Sequence, residues 1–390
     1  MTDTQRPDTE TTNVADFDAS TAQAVDALII GAGPVGMFAA FQLGLQGVQA
    51  HMCDTLAQMG GQCIALYADK PIYDIPGVAL CTGRELAARL ADQIKPFDTR
   101  FHARTQVAQL QAHGDGRWRV QLQSVDGGAA TWMLTKTVLI TAGVGAFVPK
   151  QLRLDGMDAL VGRLAFYHPD LQDAWLAQQV QGNPAVRIVI NGGDEAAVQA
   201  ALAAADHPLL QAAHITLLHR RDQFNAPQPL LDDLAALRAS GRLDVVIGMP
   251  QSIAVSDVKN DSYLGPRGGR QATIIYCDPE GQDQQLPCDQ LWVYQGISPK
   301  LGPLLSWELA IEKKQLQVAV DTFQTSAQGI YAAGDIVSYA GKRKLILCGF
   351  HEATLAALAA VEYLRGEKLL LEYTTTSKRL HERLGVSHPD

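Results

Sequence analysis

Three glycines in the order Gly-x-Gly-x-x-Gly, Gly31, Gly33 and Gly36, are the first residues in this chain whose type and spacing suit chemistry. Gly31 permits a tight turn, Gly33 lets backbone approach a pyrophosphate, and Gly36 lets a helix close on the strand before it. Pro34 stands inside the same turn. Asp54, about twenty residues on, falls where an acid takes the ribose hydroxyls of a dinucleotide. Gly60, Gly61 and Gln62 follow. Two adjacent glycines so soon after the acid imply a loop pressed against something flat or crowded.

The same grammar returns about 160 residues later as Asn191-Gly192-Gly193-Asp194. Its second strand ends in His219-Arg220-Arg221 with no acid. Paired guanidiniums suit a 2′-phosphate, and so NADP(H) rather than NAD(H). The cysteines are Cys53, Cys63, Cys81, Cys277, Cys288 and Cys348, with no C-x-x-C and no zinc spacing among them. Reduced thiols in or near cores, and no metal site, are the expectation.

These residues need elements to hold them. Residues 25–30 form a short apolar run of the kind that becomes a buried parallel strand. Phe38, Ala39, Ala40, Leu43 and Leu45 follow at helical spacing, Gly47 ends that helix, and residues 48–53 give the next strand. Residues 64–74 show no periodicity and read as a loop containing Tyr67 and Tyr73. Thr82 with Glu85 is a capping box opening a helix. Residues 107–110, 118–123 and 131–134 alternate as a small antiparallel excursion, and residues 137–141 return to a buried strand ending at Ala142-Gly143. In the second repeat the strands fall at 186–190 and 215–218, with an alanine-rich helix to Ala205 between them. Further strands are expected at 272–276, 290–294 and just before Gly334-Asp335, then an apolar helix after Gly349.

The chain has 390 residues, enough for two or three domains, and 47% of them are hydrophobic, too many for a disordered protein. A formal net charge of -9 argues against nucleic-acid binding. Five acids (Asp3, Asp8, Glu10, Asp16 and Asp18) face Arg6 alone in the leader, which is expected to lack fixed structure. No secretory signal pattern is seen and no apolar run reads as long enough to span a bilayer, so a cytoplasmic protein with no membrane partner is expected.

In combination the motifs resemble the flavin-dependent pyridine-nucleotide reductases, and more narrowly the thioredoxin-reductase-like ferredoxin–NADP⁺ reductases. The resemblance rests on GAGPVG at 31–36, GGQ at 60–62 with ALY at 65–67, YDIPG at 73–77, TAG at 141–143, HRR at 219–221, AGD at 333–335 and LCGFHEA at 347–353. It implies an α/β chain with two Rossmann-like three-layer nucleotide-binding domains, the FAD domain split by the NADP(H) domain. The implied boundaries are a leader at 1–23, FAD domain at 24–147 and 308–390, and NADP(H) domain at 148–307.

By the same resemblance Gly31, Gly33 and Gly36 meet the FAD pyrophosphate, Asp54 its ribose and Gln62 the flavin side, with Pro34, Gly60, Gly61 and Gly143 also among the cofactor-binding residues. Asp335, with Gly334 beside it, holds the ribityl or pyrophosphate region, Tyr67 stacks on the ring, and Tyr373 is the aromatic candidate for its second face. Gly192, Gly193, Asp194, Arg220 and Arg221 take NADP(H). A homodimer and a ferredoxin or flavodoxin partner are implied, with Lys342, Arg343 and Lys344 as a basic patch to steer it. Without a dithiol, electrons cannot pass to a disulfide by exchange, which suits direct delivery to a one-electron carrier. No general base is nominated, and His351 has no assigned role. Two departures stand out. Asn191 replaces a glycine and is expected to crowd a phosphate, and Asn225 replaces an arginine that helps hold the 2′-phosphate. These leave open a related flavin reductase with another acceptor, or a non-catalytic flavoprotein sensor.

Overall fold

Ala27, Leu28, Ile29 and Ile30 are buried because both faces of the strand that carries them are covered. The computed structural model describes residues 22–169, 171–181, 183–257 and 270–387. Residues 1–21 of the acidic leader lie outside the described residues, and Gln23 already begins the first strand. The chain divides into two units, one made of the residues up to Ala146 and from Pro299 on, the other of Phe147–Ser298. Residues 299–307 therefore belong to the first unit rather than to the second, as the sequence suggested. The reason is packing: Leu304 and Trp307 are buried in the same cluster as Val107, Leu110 and Ile140.

In the first unit the parallel strands lie in the order Arg100–His102, Ala50–Cys53, Gln23–Ile30 and Thr131–Ile140, with Ile330–Ala332 pairing beyond the last. In chain order this is 3-2-1-4-5, whose switch point lies between Gln23–Ile30 and Thr131–Ile140. The two runs expected at 131–134 and 137–141 are one strand. Its first half pairs antiparallel with Trp118–Ser124 and its second half parallel with Ile330–Ala332, so one strand serves both patterns.

Alternation along each strand sorts side chains into two layers. Ala27, Ile29, Met52 and Leu139 face the helices Pro34–Leu45, Gly83–Ile94 and Ile346–Arg365. Leu28, Ile30, Val138 and Ile140 face a second cluster containing Val107, Leu122, Leu316 and Val337. The expected capping box is present: the Glu85 N–H donates to Thr82 Oγ1 at 3.2 Å and the Thr82 N–H to Glu85 Oε2 at 2.9 Å.

Two expectations about helices change. A short helix, Gln62–Ala65, interrupts the stretch read as loop. The last long helix begins at Ile346, so Gly349 lies in its first turn rather than before it. By length and composition this helix could cross a bilayer, contrary to the sequence reading. In the fold its Ala353, Ala356, Ala357, Ala360 and Val361 are buried, packed in one cluster with Met37, Ala40 and Leu43. The terminal extension folds as Lys378–Leu384 and is tied to the end of Pro34–Leu45, where Arg383 donates to the Leu45 carbonyl and Arg365 to the Gln46 carbonyl. Cations at a helix C-terminus also meet its partial negative charge.

The second unit carries five parallel strands in the order Ala165–Tyr167, Gln290–Tyr294, Arg187–Gly192, His214–His219 and Leu243–Ile247. Ile188, Ile190, Leu217 and Trp292 pack under the helices Glu195–Asp206 and Gln228–Ala239. Val189, Leu218, Leu291 and Val293 face the other way, with Ile253 and Ile274 of an antiparallel sheet formed by Met249–Asp257, Arg270–Cys277 and Asp283–Cys288.

At the edge of the first sheet His51 Nδ1 and His102 Nε2 are 3.0 Å apart, and the rings stack at 5.1 Å. Both imidazoles are held below the usual range, His51 by burial and then the Arg100 charge, His102 by burial, then His51 and Arg100. The fold thus favours neutral rings, so the unfolded chain binds more protons. This contribution is complete above the ordinary histidine value of about 6.5 and declines as pH falls through it toward the lower folded values. Thermal melts should show a loss of stability below about pH 6.5. His102→Gln should flatten that slope; an unchanged slope would assign it elsewhere.

Candidate active site

The carboxyl ends of Gln23–Ile30 and Thr131–Ile140 meet at contact distance because Gly31 has no side chain. A Cβ there would lie 2.5 Å from the Thr141 carbonyl oxygen, and Gly31 has φ +106°. The Thr141 hydroxyl donates to the Gly31 carbonyl at 2.7 Å, and the Gly31 N–H to the Cys53 carbonyl at 2.9 Å. At Gly36 a Cβ would lie 2.0 Å from the Gly31 carbonyl oxygen, which is why the helix can start so close beneath the turn. That helix is capped by Gly33 with Pro34 following, so no side chain occupies its N-terminal N–H groups. This is the arrangement that receives phosphate.

The second glycine pair lies against the first. A Cβ on Gly61 would be 2.8 Å from Gly33 Cα, and the Gly60 N–H donates to the Ala32 carbonyl at 2.8 Å. The crowding expected of Gly60 and Gly61 is therefore backbone against backbone. Asp54 is fixed by the N–H groups of Ala32, at 2.7 Å, and Leu56, at 2.9 Å. Burial holds its carboxyl above the usual range although both N–H groups pull it down.

Three more segments close on this edge. Gln62 Nε2 donates to Asp335 Oδ2 at 3.4 Å, and a Cβ on Gly143 would lie 3.0 Å from the same Gln62 nitrogen. Gly349 brings the last long helix onto Val35 and Gly334: its Cβ would lie 2.4 Å from Val35 Cγ2 and 3.5 Å from Gly334 Cα. Tyr67 is half-buried and its hydroxyl accepts from Cys63 Sγ at 3.6 Å. Burial first, then Cys63, Asp335 and Asp74, push its phenol up. Tyr373 is exposed and starts the turn before the terminal helix, with its carbonyl accepting from Thr376 and Ser377.

Sequence reasoning passed over Glu352. Its side chain is fully buried, and Oε2 accepts the Gly334 N–H at 2.7 Å. Oε1 accepts from the Tyr339 hydroxyl at 2.7 Å and from Lys342 Nζ at 2.5 Å. Lys342, read above as part of a docking patch, is 8% exposed at its side chain and spent on this pair. Only Arg343 and Lys344 of that patch are exposed, while His351 beside Glu352 faces solvent. The overlooked signal was an acid on the alanine stripe of an apolar helix, where a charge is costly to bury unpaired.

In the second unit a Cβ on Gly192 would lie 2.3 Å from the Tyr294 carbonyl oxygen, and one on Gly193 2.2 Å from the His219 ring. Asp194 caps the helix Glu195–Asp206 by accepting the Ala197 N–H at 3.1 Å. Asn191 does not reach into the turn. It is 2% exposed, donates to the Leu218 carbonyl at 3.2 Å and accepts from Gln295 at 2.5 Å, so it ties neighbouring strand ends together. The Asn225 N–H holds the Gly193 carbonyl at 2.8 Å. Arg220 and Arg221 are exposed, with no ion-pair partner among the described residues. His219 lies below the usual range through burial, then these two charges.

A sequence profile of the pyridine nucleotide-disulphide oxidoreductases matches residues 25–357. The chain belongs to that family. A ferredoxin–NADP reductase of Acidovorax sp. (strain JS42) is 51% identical over 367 residues, spanning 94% of this chain and 97% of the relative. That of Verminephrobacter eiseniae (strain EF01-2) is 49% identical, spanning 93% and 97%. Among solved structures, the thioredoxin reductase of T. acidophilum is similar in fold, with a TM-score of 0.50, 19% identity and coverage of 88% of this chain and 99% of that one. In this oxidoreductase family the first-unit turn fits a dinucleotide pyrophosphate: Gly31, Gly36 and Gly61 let strand end, helix and second glycine loop meet backbone to backbone, and the helix N-terminus carries no side-chain cap. Gly36→Ala should accordingly abolish retention of FAD, read as visible absorbance per purified protein. Full retention would show that the turn is not the binding element.

Proposed function

We propose that this chain is a ferredoxin–NADP reductase that holds FAD in its first unit and NADP(H) in its second. The single observation that carries the FAD half is the meeting of residues 31–36, 60–62, 143, 334–335 and 349 at one sheet edge. Ferredoxin–NADP reductases about half identical over nearly the whole chain support the activity. All six cysteines are free and none lies in a C-x-x-C motif, which favours direct delivery to a one-electron carrier over disulfide exchange. Bound FAD would supply hydride acceptance from NADPH and delivery of single electrons.

The chain's own residues then bind and orient. Gly31, Gly33, Pro34 and Gly36 would present backbone to the pyrophosphate and Asp54 its carboxylate to the ribose. Gly60, Gly61, Gln62, Gly143, Gly334 and Asp335 would flank the rest, with Tyr67 against the ring. Gly192 and Gly193 would admit the second dinucleotide, Asp194 would keep its helix capped, and Arg220 and Arg221 would take the 2′-phosphate. The exposed Leu370, Leu371 and Tyr373 support a homodimer in which the extension is covered by a second copy. Free thiols support a cytoplasmic setting.

Stopped-flow mixing should reduce the flavin faster with NADPH than with NADH. Arg220→Ala or Arg221→Ala should raise the KM for NADPH by about tenfold or more, the scale of one charge-assisted bond. Equal rates with the two nucleotides would overturn the NADP(H) assignment. Arg343→Glu with Lys344→Glu should slow reduction of ferredoxin or flavodoxin while sparing a small dye. Unchanged carrier rates would remove that surface from the docking site.

A further inference from the structure

The Glu352 carboxylate lies in a layer that the proposed electron path does not itself need. It is fully buried, seven residues into a helix, and compensated by one ammonium that is itself 8% exposed. The Tyr339 hydroxyl donates to it at 2.7 Å, and Lys342 Nζ also sits 5.8 Å from the Tyr339 ring centre. The other carboxylate oxygen holds the Gly334 N–H at 2.7 Å. Gly334 has φ +88°, and Asp335 next to it meets Gln62 at the cradle. A charge pair thus stands one peptide behind the turn that faces the dinucleotide.

We propose that Glu352 and Lys342 act together as positioning residues for bound FAD, fixing the Gly334–Asp335 turn and setting the flavin reduction potential through their balanced charges. The inference rests on the reading of the first unit as the FAD site. Glu352 orients the turn by taking the Gly334 N–H, and Lys342 keeps that carboxylate neutralised where water does not reach. With both charges present the field at the ring is that of a small dipole. With one removed it is that of a net charge screened only by protein. An uncompensated cation favours the more electron-rich reduced ring, and an uncompensated anion opposes it.

The test is a redox titration of the purified flavoprotein against indicator dyes, with the wild type, Glu352→Gln, Lys342→Met and the double variant. Gln keeps an acceptor for the Gly334 N–H while removing the charge. Glu352→Gln should raise the potential and Lys342→Met should lower it. Each shift should be about tenfold in the reduced-to-oxidised ratio, close to 30 mV for two electrons. The double variant should return toward the wild type. Single variants that both shift the same way, or not at all, overturn the role of the pair.

Should the single variants fail to retain FAD, the double variant decides. Recovery of visible absorbance supports charge pairing, and equal loss in all three overturns it. A wild-type chain that takes up no FAD overturns the underlying reading instead, so the two failures are told apart.

Discussion

The absence of a single carbon atom at Gly31 is the constraint on which the first unit depends. The two central strands end where the Thr141 carbonyl stands 2.5 Å from the place a Cβ would take. Any side chain there would push apart the strand ends, and with them the helix that Gly36 lets in beneath. Backbone close to backbone leaves N–H groups pointing out with no side chain to cover them. The same lack of a side chain at Gly61 brings the second glycine loop onto Gly33. The edge is therefore shaped by what is missing, and its electrostatics by the aligned peptides of the helix beneath.

Layering explains how such an edge is kept open. In each unit helices cover one face of the parallel sheet, and the second face packs on β structure or on irregular chain. Alternate side chains of every central strand fill both cores, so the strands cannot slide by one residue without exposing a whole apolar set. Register in turn sets where each strand stops, and the loops beyond the stops carry the polar groups. Asn191 shows the economy of this arrangement. A residue standing in a glycine position keeps the turn intact because its amide is spent between strands, on the Leu218 carbonyl and Gln295.

The buried ion pair changes how the last third of the chain is understood. Three consecutive bases in an acidic protein look alike in a sequence, yet one is drawn inward by a carboxylate ten residues away. Leaving either charge alone in that position would be strongly unfavourable, of the order of 3–5 kcal/mol. The loop 339–345 and the helix after it are thereby tied together through Tyr339 and Lys342. None of the six cysteines stands in a C-x-x-C motif, the arrangement that passes two electrons to a disulphide by exchange. What the chain shares with its family is the geometry that holds two nucleotides.

By itself the sequence determined the two glycine turns, the acid and the arginines that end their second strands, the capping box at Thr82 and the absence of any C-x-x-C motif. Each is a local matter, set by backbone angles, hydrogen-bond partners a few residues away or simple composition. Only the tertiary structure decided that residues 299–307 pack with the first unit and that one strand spans residues 131–140. The same holds for Gly349 lying inside its helix and for Lys342 turning inward while Arg343 and Lys344 stay in water. Those outcomes depend on neighbours far away in the chain. A cation's place is fixed by the buried carboxylate it meets, and a glycine's by the side chain it must clear, and neither partner is visible in the residues on either side.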